Sequence, residues 1–385
     1  MKKLHTKKKA WLILHSRQSL CRRVRRNADL RIRKQYGREV TLYKRGNTTT
    51  VWADRGGVQL PQDFCLDNNT DEVVKAISSI RETLFSENRH GRRIRRGRIS
   101  KWIDLASIRR ISPSAALVLA AEFDRARTLA GKGLVAVDVH RWQPEVRQTL
   151  DDLGFLDLLD VEQNQPLIVA EDGLRIVRMM SGEAVEATTA GELTRVLEGM
   201  LRDLGLATDM SGSPLAVDTA QLYGAVIEAM ENARHHAYPK DREWTYPVIN
   251  RWWMTGAVDP KAKRLTVVLY DQGISIPVSL PHWERFPSVI RAFGRFPPFS
   301  LEKDDPKYDD TAIRAAMAVS RTSTGLSYRG KGLARIEALI NTCRAGRLRI
   351  FSRQGEYTYE RGGRHRARIL PVSIGGTLIE WEAWF

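Results

Sequence analysis

EAMENARHHAY, Glu228 to Tyr238, is the run in which acidic, amide and imidazole groups recur at helical spacing. On a helix, Glu228, Asn232 and His235 stack within about 40° of one another, with His236 at the edge of the stripe. Leu222, Val226, Met230, Ala233 and Ala237 fall on the other side. The split predicts an amphipathic helix whose oily face covers a core while its polar face looks into a pocket. A carboxylate and an amide oxygen one turn apart can poise a water and hold a Mg²⁺ whose other ligands are phosphate oxygens and waters. On these residues alone the competing reading is a solvated face.

Two later stretches favour the pocket reading. In LTVVLYDQGISIP (Leu265 to Pro277), Asp271 ends a strand-like run, Gly273 follows, and Ile276 and Pro277 come next. The Asp271 carboxylate can accept from an exocyclic amino group, and Gly273 would let a flat ring approach the backbone. In STGLSYRGKGLARIEALI (Ser323 to Ile340), Gly325, Gly330 and Gly332 precede an amphipathic helix, which points free amides and a helix dipole at an anion.

In this order the three stretches resemble the N box and the two glycine boxes of the GHKL ATPase superfamily, the Bergerat fold shared by gyrase and the histidine kinases. The nearest resemblance is to the anti-sigma-factor serine kinases, whose N box has the spacing of Glu228, Asn232, His236, Ala237 and Tyr238. The resemblance implies ATP and Mg²⁺ as cofactors, with Glu228 as general base, Asn232 as Mg²⁺ ligand, Asp271 as adenine partner, and Gly330 and Gly332 as phosphate-loop amides. It also assigns His236, Gly273, Ile276, Gly325, Arg329, Lys331, Leu333 and Thr377 to the nucleotide site. One departure stands out: Ser275 occupies the place of the first glycine box's second Gly, which bears on loop geometry. The closing GGTLIEWEAWF (Gly375 to Phe385) is similar to the family's Gly-Thr and last strand, and the resemblance runs from about Pro214 to the C-terminus.

A chain of 385 residues with 42% hydrophobic content has room for two domains with cores. Its longest apolar runs fall short of a membrane span, and Cys21, Cys65 and Cys343 have neither disulfide-framework nor zinc spacing. These features predict a cytoplasmic protein without a membrane partner. The net charge of +17 is concentrated: residues 1–46 hold sixteen Lys or Arg against Asp29 and Glu39, or +14, and residues 89–101 add +7. The rest of the chain therefore nets −4, by subtraction of those two patches from the total. Such patches attract polyanions by counterion release, so non-specific nucleic acid is a candidate partner of both segments; a solubilising or protein-docking arm is the alternative.

In chain order, residues 1–46 read as a basic arm and Gly46 to Gly57 as linker and turn. From Val58 to about Glu162, helices are expected at Asp71–Phe85, from Ser112 or Ser114 to Leu129, and at Pro144–Leu153, with strands at Ser100–Leu105 and Leu134–Val139. This alternation predicts an α/β sandwich over residues 47–162. WIDLASIRRISPSAALVLAAEFDRAR and PEVRQTLDDLGFLDLL resemble a STAS domain, the anti-sigma-antagonist fold, in which Ser114 would sit at the phosphoacceptor place. The family's Asp and Gly are missing there, so a helix-capping Ser114 is the preferred reading. Residues 163–213, with a strand at Leu174–Met180 and a helix at Thr188–Leu204, are either a connector or the leading elements of the ATP-binding domain, residues 214–385.

Glu243–Met254 reads as a strand whose Trp residues pack in a core, Pro281–Pro306 as a lid, and Asp309–Val319 as a short helix. The fold expected is thus α/β: a basic arm, a STAS-like sandwich, then a Bergerat-type sandwich with a mixed sheet covered by helices. Two functions fit. One is an Mg·ATP-dependent ATPase or serine kinase of the partner-switching type, with a STAS-like or sigma-like protein as partner. The other is a nucleotide-gated module that binds nucleic acid or protein without turnover.

Overall fold

The computed structural model describes residues 6–44, 47–54, 57–85, 94–95, 98–99, 102–131, 134–161, 173–203, 219–283, 305–322 and 332–384. They form a mixed α/β protein around an eight-stranded sheet. Its strands lie in the order Arg175–Ile176, Trp252–Asp259, Arg264–Asp271, Thr377–Trp384, Ala345–Ser352, Gly355–Glu360 and His365–Ile369, with Met180–Gly182 also paired to the Trp252 strand. Every pairing described in this sheet is antiparallel, which corrects the mixed sheet expected from the resemblance. In the central strands, register brings Asp271 opposite Thr377 and Thr377 opposite Ser352.

Strand alternation sends side chains to opposite faces, and both faces are covered. Leu265, Val267, Leu269, Leu348, Ile350, Ile379 and Trp381 point into a core shared with four helices, Ala187–Asp203, Thr219–Asn232, Asp309–Thr322 and Gly332–Thr342. The intervening Val268, Tyr270, Phe351 and Leu378 join a second core with residues of the chain's first half. There the helix Pro113–Ala130 lies on the sheet's back, and Thr70–Phe85 packs against that helix. The first half therefore does more than precede the sheet; it supplies one of its two covers.

Local signals explain these helices. Ser112 accepts from the Ala115 amide at the start of Pro113–Ala130, with Pro113 in the first turn, and Gly131 ends it at φ 61°. Ser114, the expected cap or phosphoacceptor, is fully buried and bonds the Ser112 hydroxyl at 3.1 Å. The expected helices at Asp71–Phe85, Pro144–Leu153, Thr188–Leu204 and Asp309–Val319 appear as Thr70–Phe85, Pro144–Asp152, Ala187–Asp203 and Asp309–Thr322.

Other expectations need correction. Thr6–Gln35 is a helix, and Tyr36–Lys44 pairs with Asn47–Asp54 as a hairpin, so the arm's last residues and the expected linker are strands. Val40, Leu42, Val51 and Ala53 are buried on one side of it, an alternation masked in the sequence by the charges around it. The hairpin joins a five-stranded sheet with Ala136–Val137, Arg98–Ile99 and Ile94–Arg95. Farther on, the strand expected from Glu243 begins only at Trp252, because Trp244–Arg251 crosses the surface in bends before Trp252 and Trp253 enter the two cores. Most of the basic segment 89–101 and of the lid lies outside the described residues.

Polar groups also fill the back face. Arg349 donates to Glu380 at 2.9 Å and to the Leu66 carbonyl at 3.0 Å; Arg347 reaches Asp67 at 3.0 Å and Glu382 at 2.6 Å. Arg264 bonds Asp67 at 3.1 Å and Glu382 at 2.9 Å. Three guanidinium groups thus face the three carboxylates Asp67, Glu380 and Glu382, and every acid has a cation within bonding distance. Removing one member would strand a buried charge, at a cost of about 3–5 kcal/mol.

Candidate functional site

The helix Thr219–Asn232 does not stop as an α-helix; its last turn, Ala233–Ala237, is a π turn. Such turns insert a residue into the helical ladder and re-aim the side chains around it. His236, and not His235, consequently lines the cleft described below, which corrects the stripe drawn from ideal helical spacing. The His236 ring lies 6.3 Å from that of Trp283. Partial burial, and after it the neighbouring His235, hold the His236 imidazole below the ordinary histidine value.

Tyr238 then fastens this turn to the strand end that carries Asp271. Its hydroxyl donates to the Arg251 carbonyl at 2.6 Å and accepts from the Gln272 amide at 2.9 Å. The Ile274 amide donates to the Ala237 carbonyl at 2.8 Å. A Cβ at Gly273 would lie 2.3 Å from the Ala237 Cβ, so only glycine lets the two segments meet. The close approach expected of a flat ring at Gly273 is therefore made by Ala237.

Beyond Gly273 the chain turns sharply. Ser275 adopts φ 75° and ψ 159°, a region that glycine enters readily and L-residues rarely do. The departure from the family pattern is thus a side chain placed on a glycine-type backbone. Its hydroxyl donates to the Ile274 carbonyl. The next amide, Ile276 N–H, donates to the Ser352 hydroxyl at 2.8 Å, and Ser352 bonds the Thr377 hydroxyl at 2.9 Å.

These contacts bring three distant stretches to one cleft. The helix gives Ala229, Asn232, His236 and Ala237; the turn gives Asp271, Ser275, Ile276 and Ser279; the last strand gives Thr377 and Ile379; and Trp283 completes the lining. The enclosed volume is about 40 Å³, well below the range of about 300–1,000 Å³ typical of small-molecule sites, so a ligand the size of adenine needs the cleft to open further. Asp271 is buried, and burial pushes its carboxyl up to about 7 against the opposing pull of the Gly273 and Thr377 amides. The Gly273 bond is 2.8 Å long. Asn232 has a buried Nδ2 with no hydrogen-bond partner among the described residues.

Of the site residues expected from sequence, Asn232, His236, Asp271, Ile276 and Thr377 come together here, with Gly273 immediately behind them. Glu228 is half-buried one turn before Asn232 and is not part of the lining. Gly332 and Leu333 open the helix Gly332–Thr342, which packs beside Thr219–Asn232. Gly325, Arg329, Gly330 and Lys331 lie outside the described residues.

No protein-family model matches this chain, and no curated protein matches it. What can be said of the cleft therefore comes from its own chemistry. A ligand amino group would find an acceptor in Asp271 at the end of a mostly apolar slot, and a cation would find an amide at Asn232 whose oxygen and nitrogen can exchange places. The orphaned Asn232 nitrogen is a donor as placed and would be satisfied by a ligand acceptor; only with the amide exchanged would its oxygen face a cation. Sequence inspection missed Ser352, Ser279 and Trp283. Ser352 sits at a strand end with no pattern around it, and only the register opposite Thr377 brings it to the site.

Proposed function

We propose that this chain binds Mg·ATP in the cleft between the helix Thr219–Asn232 and the turn after Asp271, as a GHKL-type ATPase or serine kinase. The observation that carries this reading is the convergence of Asn232, Asp271 and Thr377 from three separated stretches on one cleft. Asp271 would accept from the adenine amino group, with Ile276 and Ile379 against the ring. The Asn232 amide oxygen would hold the cation, and the N-terminal amides of the helix starting at Gly332 would face the phosphates. Bound Mg²⁺ would supply charge neutralisation on the phosphate oxygens. Glu228, one turn back from the metal ligand, would orient and deprotonate the attacking water or serine hydroxyl.

Its burial argues against Ser114 as the acceptor, because a kinase cannot reach a hydroxyl closed inside a core. Phosphate would pass instead to water or to a serine of another protein, and the STAS-like resemblance of residues 47–162 favours a partner of STAS or sigma type. Incubation with γ-labelled ATP and Mg²⁺, with a STAS-type protein present and absent, tests the reading. Label on free phosphate or on the added protein supports it; absence of both turnover and ATP binding overturns it.

One observation favours a second activity on the same chain. The helix Thr6–Gln35 carries Arg17, Arg22, Arg23, Arg25 and Arg26 as exposed side chains. These cations are spread around the helix and suit a nucleic-acid backbone by charge alone, and such binding would fall steeply with salt.

A further inference from the structure

The short segment Ile374–Thr377 carries the cleft's Thr377, and one of the bonds that hold it comes from the first half of the chain. Arg81, on the helix Thr70–Phe85, is buried and donates through Nη2 to the Ile374 carbonyl at 2.5 Å. The same guanidinium grips Glu122 through Nε at 2.9 Å and Nη2 at 2.6 Å. Glu122 in turn accepts from Arg125, so the carboxylate is shared by two cations and Arg81 is fixed in one pose.

The strap is shaped to receive it. A Cβ on Gly375, at φ 87°, would lie 2.2 Å from the Arg81 guanidinium, and a Cβ on Gly376, at φ 140°, would lie 1.9 Å from the Asp271 carbonyl oxygen. Arg81 and Asp271 therefore press on consecutive glycines. Tyr270, the residue before Asp271, also donates from its hydroxyl to the Ile374 and Gly375 carbonyls, at 3.2 and 3.1 Å. Around the other side, Arg353 N–H donates to the Gly376 carbonyl at 3.1 Å and Ile374 N–H to the Arg353 carbonyl at 2.9 Å. Of these bonds, the one from Arg81 comes from the first half of the chain.

We propose that Arg81, locked by Glu122, is a positioning residue for the ligand cleft: it sets the strap Ile374–Thr377 against Asp271, so that the first half of the chain controls the cleft's affinity. The inference rests on the nucleotide reading for its ligand, adenosine, but not for its geometry. A conformational change that moves the helix Thr70–Phe85 would be felt at Asp271 and Thr377 without any contact to the ligand itself. The route is short, one guanidinium and two peptide units, and has no slack because both glycines are filled.

The test removes Arg81 alone, as Arg81→Met, because Glu122 keeps its ion pair with Arg125 and no buried charge is left unpaired. Adenosine is the probe, since it has no phosphates and reports on the Asp271 side alone. Hydrogen exchange of the amides in residues 371–379 is the second readout, and it needs no ligand. The expected result is a folded protein in which those amides exchange at least tenfold faster and adenosine affinity falls about tenfold. Arg81→Lys, which keeps one donor for Ile374, should recover part of both. Leu150→Ala, in the same core but on the helix Pro144–Asp152, is the control for simple loss of stability and should move neither by more than about twofold. Wild-type exchange of residues 371–379 in Arg81→Met overturns the proposal, as does an equal effect of Leu150→Ala. If wild-type protein binds no adenosine, the nucleotide reading fails while the exchange data still decide the role of Arg81.

Discussion

Replacing Asp271 with Asn should remove a specific part of the protein's pH dependence. Burial lifts the Asp271 carboxyl from its ordinary 3.8 to about 7 in the native state. A carboxyl raised on folding binds its proton more tightly when native than when unfolded. Its contribution to stability is fully present below about pH 4 and is lost as the pH rises through 7. Between pH 5 and pH 8 the loss amounts to about 3 kcal/mol. Glu382 is raised to about 7 as well, by burial and then by Glu380, but that slope is common to both proteins and cancels in their difference. Urea unfolding of wild type and Asp271→Asn at pH 5, 6, 7 and 8 measures it. The stability difference between the two should swing by about 3 kcal/mol in favour of wild type as the pH falls. Adenosine binding should run the other way, weakening about tenfold from pH 8 to pH 6 in wild type as the acceptor becomes protonated. Stability curves that stay parallel across the range would refute the assignment of a buried, proton-holding carboxyl at this position.

Asn232→Ala should weaken Mg·ATP but leave adenosine binding within about twofold, whereas Glu228→Ala should bind Mg·ATP normally and lose about 10²-fold in turnover; calorimetric titration beside a phosphate-release assay separates them, and the reverse pattern would exchange their roles. Ser275→Gly should raise stability by about 1 kcal/mol, since relief of the glycine-type backbone at φ 75° outweighs the lost hydroxyl bond and the greater freedom of the unfolded chain. A lower thermal midpoint than wild type would show that the serine is not strained. Removal of residues 1–35 should leave adenosine and ATP affinity unchanged while reducing any nucleic-acid affinity, but removal through residue 46 strips Tyr36–Lys44 from its sheet and should lower the thermal midpoint. Equal stability of the two truncations would contradict the hairpin.

Much of this molecule was legible in its sequence because its helices are amphipathic on their own terms. Thr70–Phe85, Pro113–Ala130, Ala187–Asp203 and Asp309–Thr322 carry their apolar spacing and turn signals locally, and each formed within a few residues of expectation. Asn232 and Asp271 were likewise identifiable as polar groups at helix and strand positions suited to a site, and Thr377 through the resemblance of the closing Gly-Thr and strand. Tertiary structure decided how they were aimed. Ideal periodicity favoured His235 where the resemblance named His236, and the structure lines the cleft with His236; composition made residues 46–57 a linker, and pairing with Tyr36–Lys44 made Asn47–Asp54 a strand. The alternating charges Arg347, Arg349, Glu380 and Glu382 have the pattern of a solvent-facing sheet surface, yet Asp67 and the helices of the first half bury them. A pattern along the chain reports which face of one element is oily. Whether a polar face meets water or a complementary charge depends on segments hundreds of residues away, as Arg81 and Ile374 illustrate, because desolvation and hydrogen-bond geometry are settled only when those segments meet.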